Sequence, residues 1–369
     1  MTLDELRRDV AEGRIDTVLL GITDMQGRLM GKRMAANHFL EEVATHGAEA
    51  CNYLLAVDVE MNTVDGYALT SWDKGYGDFV LTPDFDTLMP VPWQEGTALV
   101  LADLEGVAPS PRQILRRQLE RLAERGWGAL AATELEFIVF RDSYEQAHDL
   151  GYRGLTPANQ YNVDYSLLGT ARVEPLLRRI RLAMEEAGMP VEDSKGECNP
   201  GQHEINFRYA DALTTADRHT VFKNGAKEIA AGEGMAITFM AKFNEREGSS
   251  CHVHLSLQDG VFASDEQVFS QFLAGQLATV PELMLFLAPN VNSYKRFAKG
   301  SFAPTAIAWG HDNRTCAFRV VGHGPAKRIE CRLAGADVNP YLALAALIAA
   351  GLDGVDRGLE AGPPLEGNA

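Results

Sequence analysis

The sequence lacks any apolar run long enough for a bilayer. The longest, Tyr341 to Leu352, is about a dozen residues, short of the roughly 20 that a spanning helix needs. It predicts a buried core helix instead. The first ten residues mix both charge signs and hold no apolar stretch ending in a small-residue cleavage site, so no secretory signal is read and a cytoplasmic location is expected. Cysteine is scarce: Cys51, Cys198, Cys251, Cys316 and Cys331 form no Cys-x-x-Cys pair, and reduced, buried thiols are expected. Positive charge is also in deficit. Thirty-four Lys and Arg face 51 Asp and Glu, a net charge of −17, and such a field repels phosphate backbones and anionic membrane surfaces. Nucleic acid and membrane are therefore not expected partners, and an anionic substrate needs arginines or metal ions gathered locally. No Gly-x-x-x-x-Gly-Lys-Ser/Thr loop is present, which excludes a P-loop enzyme.

What is present is an ordinary globular composition: 369 residues, 46% hydrophobic and 23% charged. The clearest seam is Val107-Ala-Pro-Ser-Pro-Arg112, where two prolines bracket a serine after a strand-like run. A domain boundary near residue 107 follows. Ser110 is expected to cap the next helix, with Pro111 at its first position and Gln113 reaching back. Beyond it the pattern predicts strands over 129–140, 191–195, 202–209, 236–243, 251–257, 317–321 and 328–333. Helices are expected over 173–187, 214–231, 265–287 and 340–353. Strands outnumber those of a strict strand–helix repeat, so the expected fold is α+β, a mixed and largely antiparallel sheet with outer helices.

Four clusters carry chemistry. In Thr133-Glu-Leu-Glu-Phe137, Glu134 and Glu136 share one strand face, where like charges repel unless something positive lies between them. In Cys251-His-Val-His-Leu-Ser-Leu257, His252, His254 and Ser256 share a face. Glu197-Cys-Asn-Pro-Gly-Gln-His-Glu204 has a turn between two glutamates. Arg328-Ile-Glu-Cys-Arg-Leu333 puts Arg328, Glu330 and Arg332 on one face, downstream of Arg296, Arg314 and Arg319. Each alone also fits a solvated edge, a core histidine, an exposed turn or a surface salt-bridge ladder. Together, carboxylates with imidazole suit Mg²⁺ or Mn²⁺, and forked arginine donors suit carboxylate and phosphate. That is a kit for phosphoryl transfer.

These segments, in this order, resemble the glutamine synthetase family, and the match spans nearly the whole chain. Its motifs are Asp24-Met-Gln-Gly-Arg28, Gly77-Asp-Phe-Val-Leu-Thr-Pro-Asp84, Gly201-Gln-His-Glu204, Phe239-Met-Ala-Lys242, Gly248-Ser-Ser-Cys-His-Val-His254, Asn292-Ser-Tyr-Lys-Arg296, Asn313-Arg314, Arg328-Ile-Glu-Cys-Arg332 and Asn339-Pro-Tyr-Leu342, with the Thr133 strand. The resemblance implies a β-grasp domain over 1–107 and a catalytic domain over 108–369, with subunits in stacked rings, a dodecameric homo-oligomer. By it, Glu136, Glu197 and Glu204 look like ligands of a first metal at the amine end. Glu134, His252 and Glu330 look like those of a second that holds the ATP phosphates. Arg296 and Gly248 match glutamate-contacting positions, Glu247 stands beside them where synthetases carry an asparagine, and Arg332 matches the partner of the glutamate side-chain carboxylate. Arg314 and Arg319 match stabilisers of the transferring phosphoryl group. Tyr209, His254, Ser256, Arg328 and Arg314 match nucleotide contacts. The implied reaction is attack of the glutamate γ-carboxylate on ATP, then displacement of phosphate by an amine.

Departures refine the resemblance. Where glutamine synthetases carry a Gly-Tyr-Glu-Ala-Pro loop whose glutamate takes a proton from ammonium, this chain reads Gly300-Ser-Phe-Ala-Pro304. The front-domain Asp-Gly-Ser motif is not recognisable, Asp65-Gly-Tyr67 and Asp58 being weak substitutes. An apolar Phe302 suits an amine that carries carbon, such as a polyamine or ethanolamine. These features are most similar to the bacterial γ-glutamylpolyamine and γ-glutamylamide synthetases. Family members continue for further helices beyond the segment matching Ala350 to Gly354. Two other readings remain open at this point: a glutamine synthetase using ammonium, and a non-catalytic assembly protein of the same fold.

Overall fold

The two-residue period of a strand puts Val18, Leu20 and Ile22 of Thr17–Thr23 on one side, where all three are buried, and turns Leu19 to the other. Around that strand the computed structural model, which describes residues 1–369, builds a five-stranded sheet. Its strands are β1 (Thr17–Thr23), β2 (Leu29–Ala35), β3 (Ala48–Cys51), β4 (Asp78–Pro90) and β5 (Thr97–Leu104), in the order β2-β1-β5-β4-β3. Only the central β1–β5 pair is parallel. Helix α1 (Leu3–Ala11), held at its start by a reciprocal Thr2–Glu5 capping box, and Phe39 close this core.

The next helix, α2 (Pro111–Ala123), begins with Pro111 in its first turn, but Ser110 makes no side-chain cap. Its neighbour Arg112 anchors that end instead. Arg112 is buried and donates to Asp217, Asp103 and Asp84, joining β4 and β5 to helix α4 (Ala212–Gly232). Asn339 Nδ2 makes a second tie, donating to the Asp24 carbonyl in the β1–β2 turn.

The second sheet comprises β6 (Ala129–Phe140), β7 (Val191–Gly196), β8 (Gln202–Phe207), β9 (Ala210–Asp211), β10 (Ala236–Thr238), β11 (Cys251–Leu257), β12 (Trp309–His311), β13 (Phe318–Val321) and β14 (Arg328–Cys331). Its main path is β12-β13-β14-β11-β6-β8-β7, antiparallel except for β12–β13. Register does the positioning. Glu134 faces His252 and Asn206, Glu136 faces Glu204, Glu204 faces Lys195, and His254 and Arg319 both face Glu330. Residues directly opposite across strands project to the same side, so one face is polar. On the other face Leu135 and Phe137 enter the main core, where Phe137 meets Phe222 and Phe239. Helices α3 (Glu174–Glu186), α4, α5 (Glu266–Leu287) and α6 (Pro340–Arg357) contribute to this core. The helices α5 and α6 cross closely: a Cβ on Gly275 would lie 2.0 Å from the Ala350 carbonyl oxygen.

One expected strand is cut short. Residues 236–243 pair with β6 only as far as Thr238, because β11 occupies the same edge of β6 from Leu135 back to Ala129. The released chain, residues 239–250, turns over the polar face and brings Glu247 and Gly248 to it. The thiols are all free. Cys251, Cys316 and Cys331 are buried as expected, whereas Cys51 and Cys198 are only partly covered, and Cys198 lines the cavity described next.

Candidate active site

The polar face of the second sheet floors a cavity of about 550 Å³ whose lining is dominated by charged and polar side chains. Glu134, Glu136, Glu204, His252 and Arg319 reach it from the strands, Glu197 and Arg332 from the residues just beyond β7 and β14, and Arg296, Phe302 and Arg314 from the turns and loops between α5 and β13. A second cleft, about 470 Å³, adjoins it through Glu134 and is lined by Tyr209, His254, Ser256 and Arg328. The cavities thus bring all these sequence-selected residues together except Glu330. That carboxylate lies under the floor, fully buried, and pairs with Arg319, which lines the cavity.

At one end of the cavity, Glu136, Glu197 and Glu204 each offer an oxygen within 4.8 Å of the others. Glu136 Oε2 accepts from the Ser250 N–H at 2.8 Å and from Gln202 Nε2 at 2.9 Å. Asn206 Nδ2 donates to Glu204 at 2.7 Å, and Lys195 pairs with Glu197. Burial, together with the charges of Glu197 and Glu204, pushes the Glu136 carboxyl well above its ordinary range. Burial also raises Glu197, with Lys195 opposing, and Glu204 is pushed up to about 8 by burial and by Glu134 and Glu197. Three crowded carboxylates with one ammonium between them are costly unless a cation joins them. Their spacing and all-oxygen chemistry suit a hard divalent ion.

The other end uses the same side chain differently. Glu134 lies between His252 Nδ1 at 3.1 Å and His254 Nε2 at 2.9 Å. Burial opposes its charge, but those two contacts outweigh it and hold the carboxyl well below the usual range. Glu330 accepts from Arg319 Nη1 at 2.8 Å and pairs with Arg332, while His252 Nδ1 stands 3.8 Å away. It too is lowered against burial, through His252 and Arg332. The His254 ring, which the resemblance matches to a nucleotide contact, also offers a ligand atom within 4.8 Å of Glu134 and Glu330.

The Arg296 side chain is buried, its Nη1 donating to the Leu333 carbonyl and its Nη2 to Ser250 Oγ, so that only Nε is without a partner. Gly248 is required beside it, since a Cβ there would meet Arg296 Cγ at 2.5 Å. Phe302 is 65% exposed at the cavity mouth. Asp58 and Asp65 do not line the cavity; Asp58 accepts the Glu60 and Asn62 N–H groups of its own turn. Among the lining residues that escaped the sequence reading are Lys195, Asp164 and Tyr165. Lys195 stands two residues before Glu197, a spacing that by itself reads as an exposed ion pair, and Asp164 and Tyr165 come from an irregular segment with no periodic signal. Burial and the nearby Asp164 carboxylate push the Cys198 thiol up to about 12, so it stays protonated and unreactive.

Residues 108–369 match the family description "Glutamine synthetase, catalytic domain". The chain is 64% identical, over all its length and 82% of the relative's, to the gamma-glutamylethanolamide synthetase GlnA4 of Streptomyces coelicolor. It is 41% identical to a glutamate–isopropylamine ligase of Pseudomonas sp, covering 99% of this chain and 83% of that one. The solved GmaS/ADP complex superposes with a TM-score of 0.85 at 29% identity, over 98% of this chain and 84% of that one. These matches establish that the chain belongs to the glutamine synthetase family of carbon–nitrogen ligases, which use ATP and divalent metal ions.

Proposed function

We propose that this ligase joins the γ-carboxylate of glutamate to a small organic amine, of which ethanolamine is the leading candidate. The observation that carries this reading is the acceptor end of the cavity, where Phe302 stands at the mouth and Lys195 beside Glu197. Neither can take a proton from ammonium, and an apolar ring favours an amine bearing carbon.

Glu136, Glu197 and Glu204 suit one divalent cation, Mg²⁺ or Mn²⁺, and Glu134, His252 and Glu330 a second. Bound there, such ions neutralise phosphate and carboxylate oxygens and orient them. Arg314 and Arg319, which line the cavity, suit stabilisation of charge on the transferring phosphoryl group, and Arg332 suits the acceptor carboxylate. Arg296 and Glu247 beside Gly248 suit the α-carboxylate and α-ammonium of glutamate. The cleft of Tyr209, His254, Ser256 and Arg328 suits the nucleotide. A γ-carboxylate oxygen attacks the terminal phosphorus of ATP, and ADP leaves. The amine nitrogen then attacks the activated carbonyl, loses its proton and expels phosphate. The working form in this reading is a cytoplasmic homo-oligomeric ring.

Purified protein with ATP, Mg²⁺ and glutamate, offered ethanolamine, isopropylamine, diamines and ammonium in turn, provides the test. Phosphate release with matching γ-glutamyl amide is expected for organic amines. Release with ammonium alone would instead make the chain a glutamine synthetase.

A further inference from the structure

Lys195 has no part in the chemistry above, yet it occupies the acceptor end. It stands on β7 opposite Glu204, two residues before Glu197, and lines the same cavity as Phe302. Its ammonium pairs with Glu197, lies 3.8 Å from Asp164 Oδ1 and sits 4.5 Å from the centre of the Tyr165 ring. We propose that Lys195 is a specificity-determining residue: its fixed positive charge selects amines whose remainder is uncharged and rejects diamines and polyamines. The inference rests on the amide-ligase reading above and narrows its amine.

The argument is one of occupied partners. An amine enters as an ammonium ion and becomes a nucleophile when it loses a proton; the rest of it must lie between Asp164, Tyr165, Leu167 and Phe302. A second ammonium on that remainder needs an anion or an aromatic face. Glu197 is committed to Lys195 and the carboxylate cluster, and Asp164 is shared by Lys195 and Cys198. The Tyr165 face is already covered by the Lys195 cation. Of the other carboxylates in the lining, Asp193 accepts from Asn206 Nδ2 and Glu247 is assigned to the α-ammonium of glutamate, so the charge that a second ammonium meets beside Tyr165 is that of Lys195, and it repels. Two unit charges about 6 Å apart at an effective dielectric of about 20 disfavour binding by roughly 100-fold. A hydroxyl or alkyl remainder meets no such penalty, and Phe302 and Leu167 offer it apolar surface.

The test compares kcat/KM for 1,4-diaminobutane, n-butylamine and 4-amino-1-butanol, matched in length, in the wild-type enzyme and in Lys195→Met and Lys195→Arg. The wild-type enzyme is expected to favour the two amines with uncharged remainders by about 100-fold over the diamine. The Met variant should shrink that ratio at least tenfold, and the Arg variant should keep it. Wild-type use of the diamine on a par with n-butylamine would overturn the proposal. So would a Met variant in which all three amines fall in parallel, or an Arg variant that loses the preference. Should the Met variant have no measurable turnover, the wild-type and Arg ratios still decide. Phosphate release from ATP without amide from any amine would refute the amide-ligase reading itself, and the role of Lys195 with it.

Discussion

The two ends of the cavity are built from the same side chain and hold it in opposite states. Glu134 and Glu330 are each paired with histidine or arginine and are held ionised. Glu136, Glu197 and Glu204 face one another with only Lys195 among them and are pushed towards protonation. One end is already balanced by histidine and arginine within the protein; the other is left with like charges that only an added cation would offset. The difference comes from register, which sets Glu204 opposite Glu136 and Lys195 but His254 and Arg319 opposite Glu330.

Substituting a glutamate at each end is the most forceful way to break this comparison. Glu204→Gln and Glu330→Gln should both cost at least about 1,000-fold in turnover, since on the proposed reading each removes a charge that holds one of the two divalent cations. Their effects on stability should diverge. Glutamine imitates the protonated Glu204 of the metal-free protein, so its thermal midpoint in chelator should be unchanged or higher, and the upshift on adding Mg²⁺ should vanish. Removal of Glu330 leaves Arg332 buried without its carboxylate partner and should destabilise the fold by about 3 kcal/mol. Equal stability losses at both ends, measured by thermal denaturation, would erase the distinction. The same logic gives metal binding a pH dependence. A carboxyl pushed up to about 8 must shed its proton before it ligates, so Mg²⁺ affinity by calorimetry should rise between pH 6 and pH 8.

Phe302 sharpens the comparison at the acceptor end. Phe302→Glu returns a base to the mouth of the cavity and should raise the use of ammonium relative to isopropylamine by about tenfold. An unchanged amine profile would remove Phe302 from the specificity argument.

Much of this was legible before any coordinates. The i, i+2 pairs Glu134/Glu136 and His252/His254 state which face each strand turns inward, and the strand boundaries 129–140 and 251–257 are those observed. Non-local competition was not legible. The strand at Ala236 ends at Thr238 because β11 takes the rest of the β6 edge, and local propensity carries no trace of that. The Ser110 cap failed because Arg112, held by three aspartates from distant segments, anchors the helix start instead. Lys195 was hidden for a related reason: a lysine two residues from a glutamate reads as an exposed ion pair until Asp164 and Tyr165 fold over it.

The smallest effect compares the two faces of β8. Glu204 and His203 are adjacent and both buried, and burial disfavours the charged form of each, pushing the carboxyl up and the imidazole down to about 4. In the fold His203 is neutral, its Nε2 sharing a 2.9 Å hydrogen bond with Asn159 Oδ1, while the unfolded chain takes up a proton near pH 6.5. Above that pH neither state is charged and His203 leaves stability unaltered. As pH falls below 6.5 the unfolded state binds the proton and the folded state does not, so stability is lost progressively down to about pH 4. Between pH 7.5 and pH 5.5 this amounts to about 1.4 kcal/mol. His203→Gln, whose amide can donate to Asn159, should lose that much less over the same interval by chemical denaturation, the buried His219, lowered in the same way, supplying a loss common to both proteins. Identical pH profiles for the variant and the wild-type protein would mean that His203 takes up its proton at the same pH in the folded and the unfolded chain, and that burial does not act alike on the two faces of the strand.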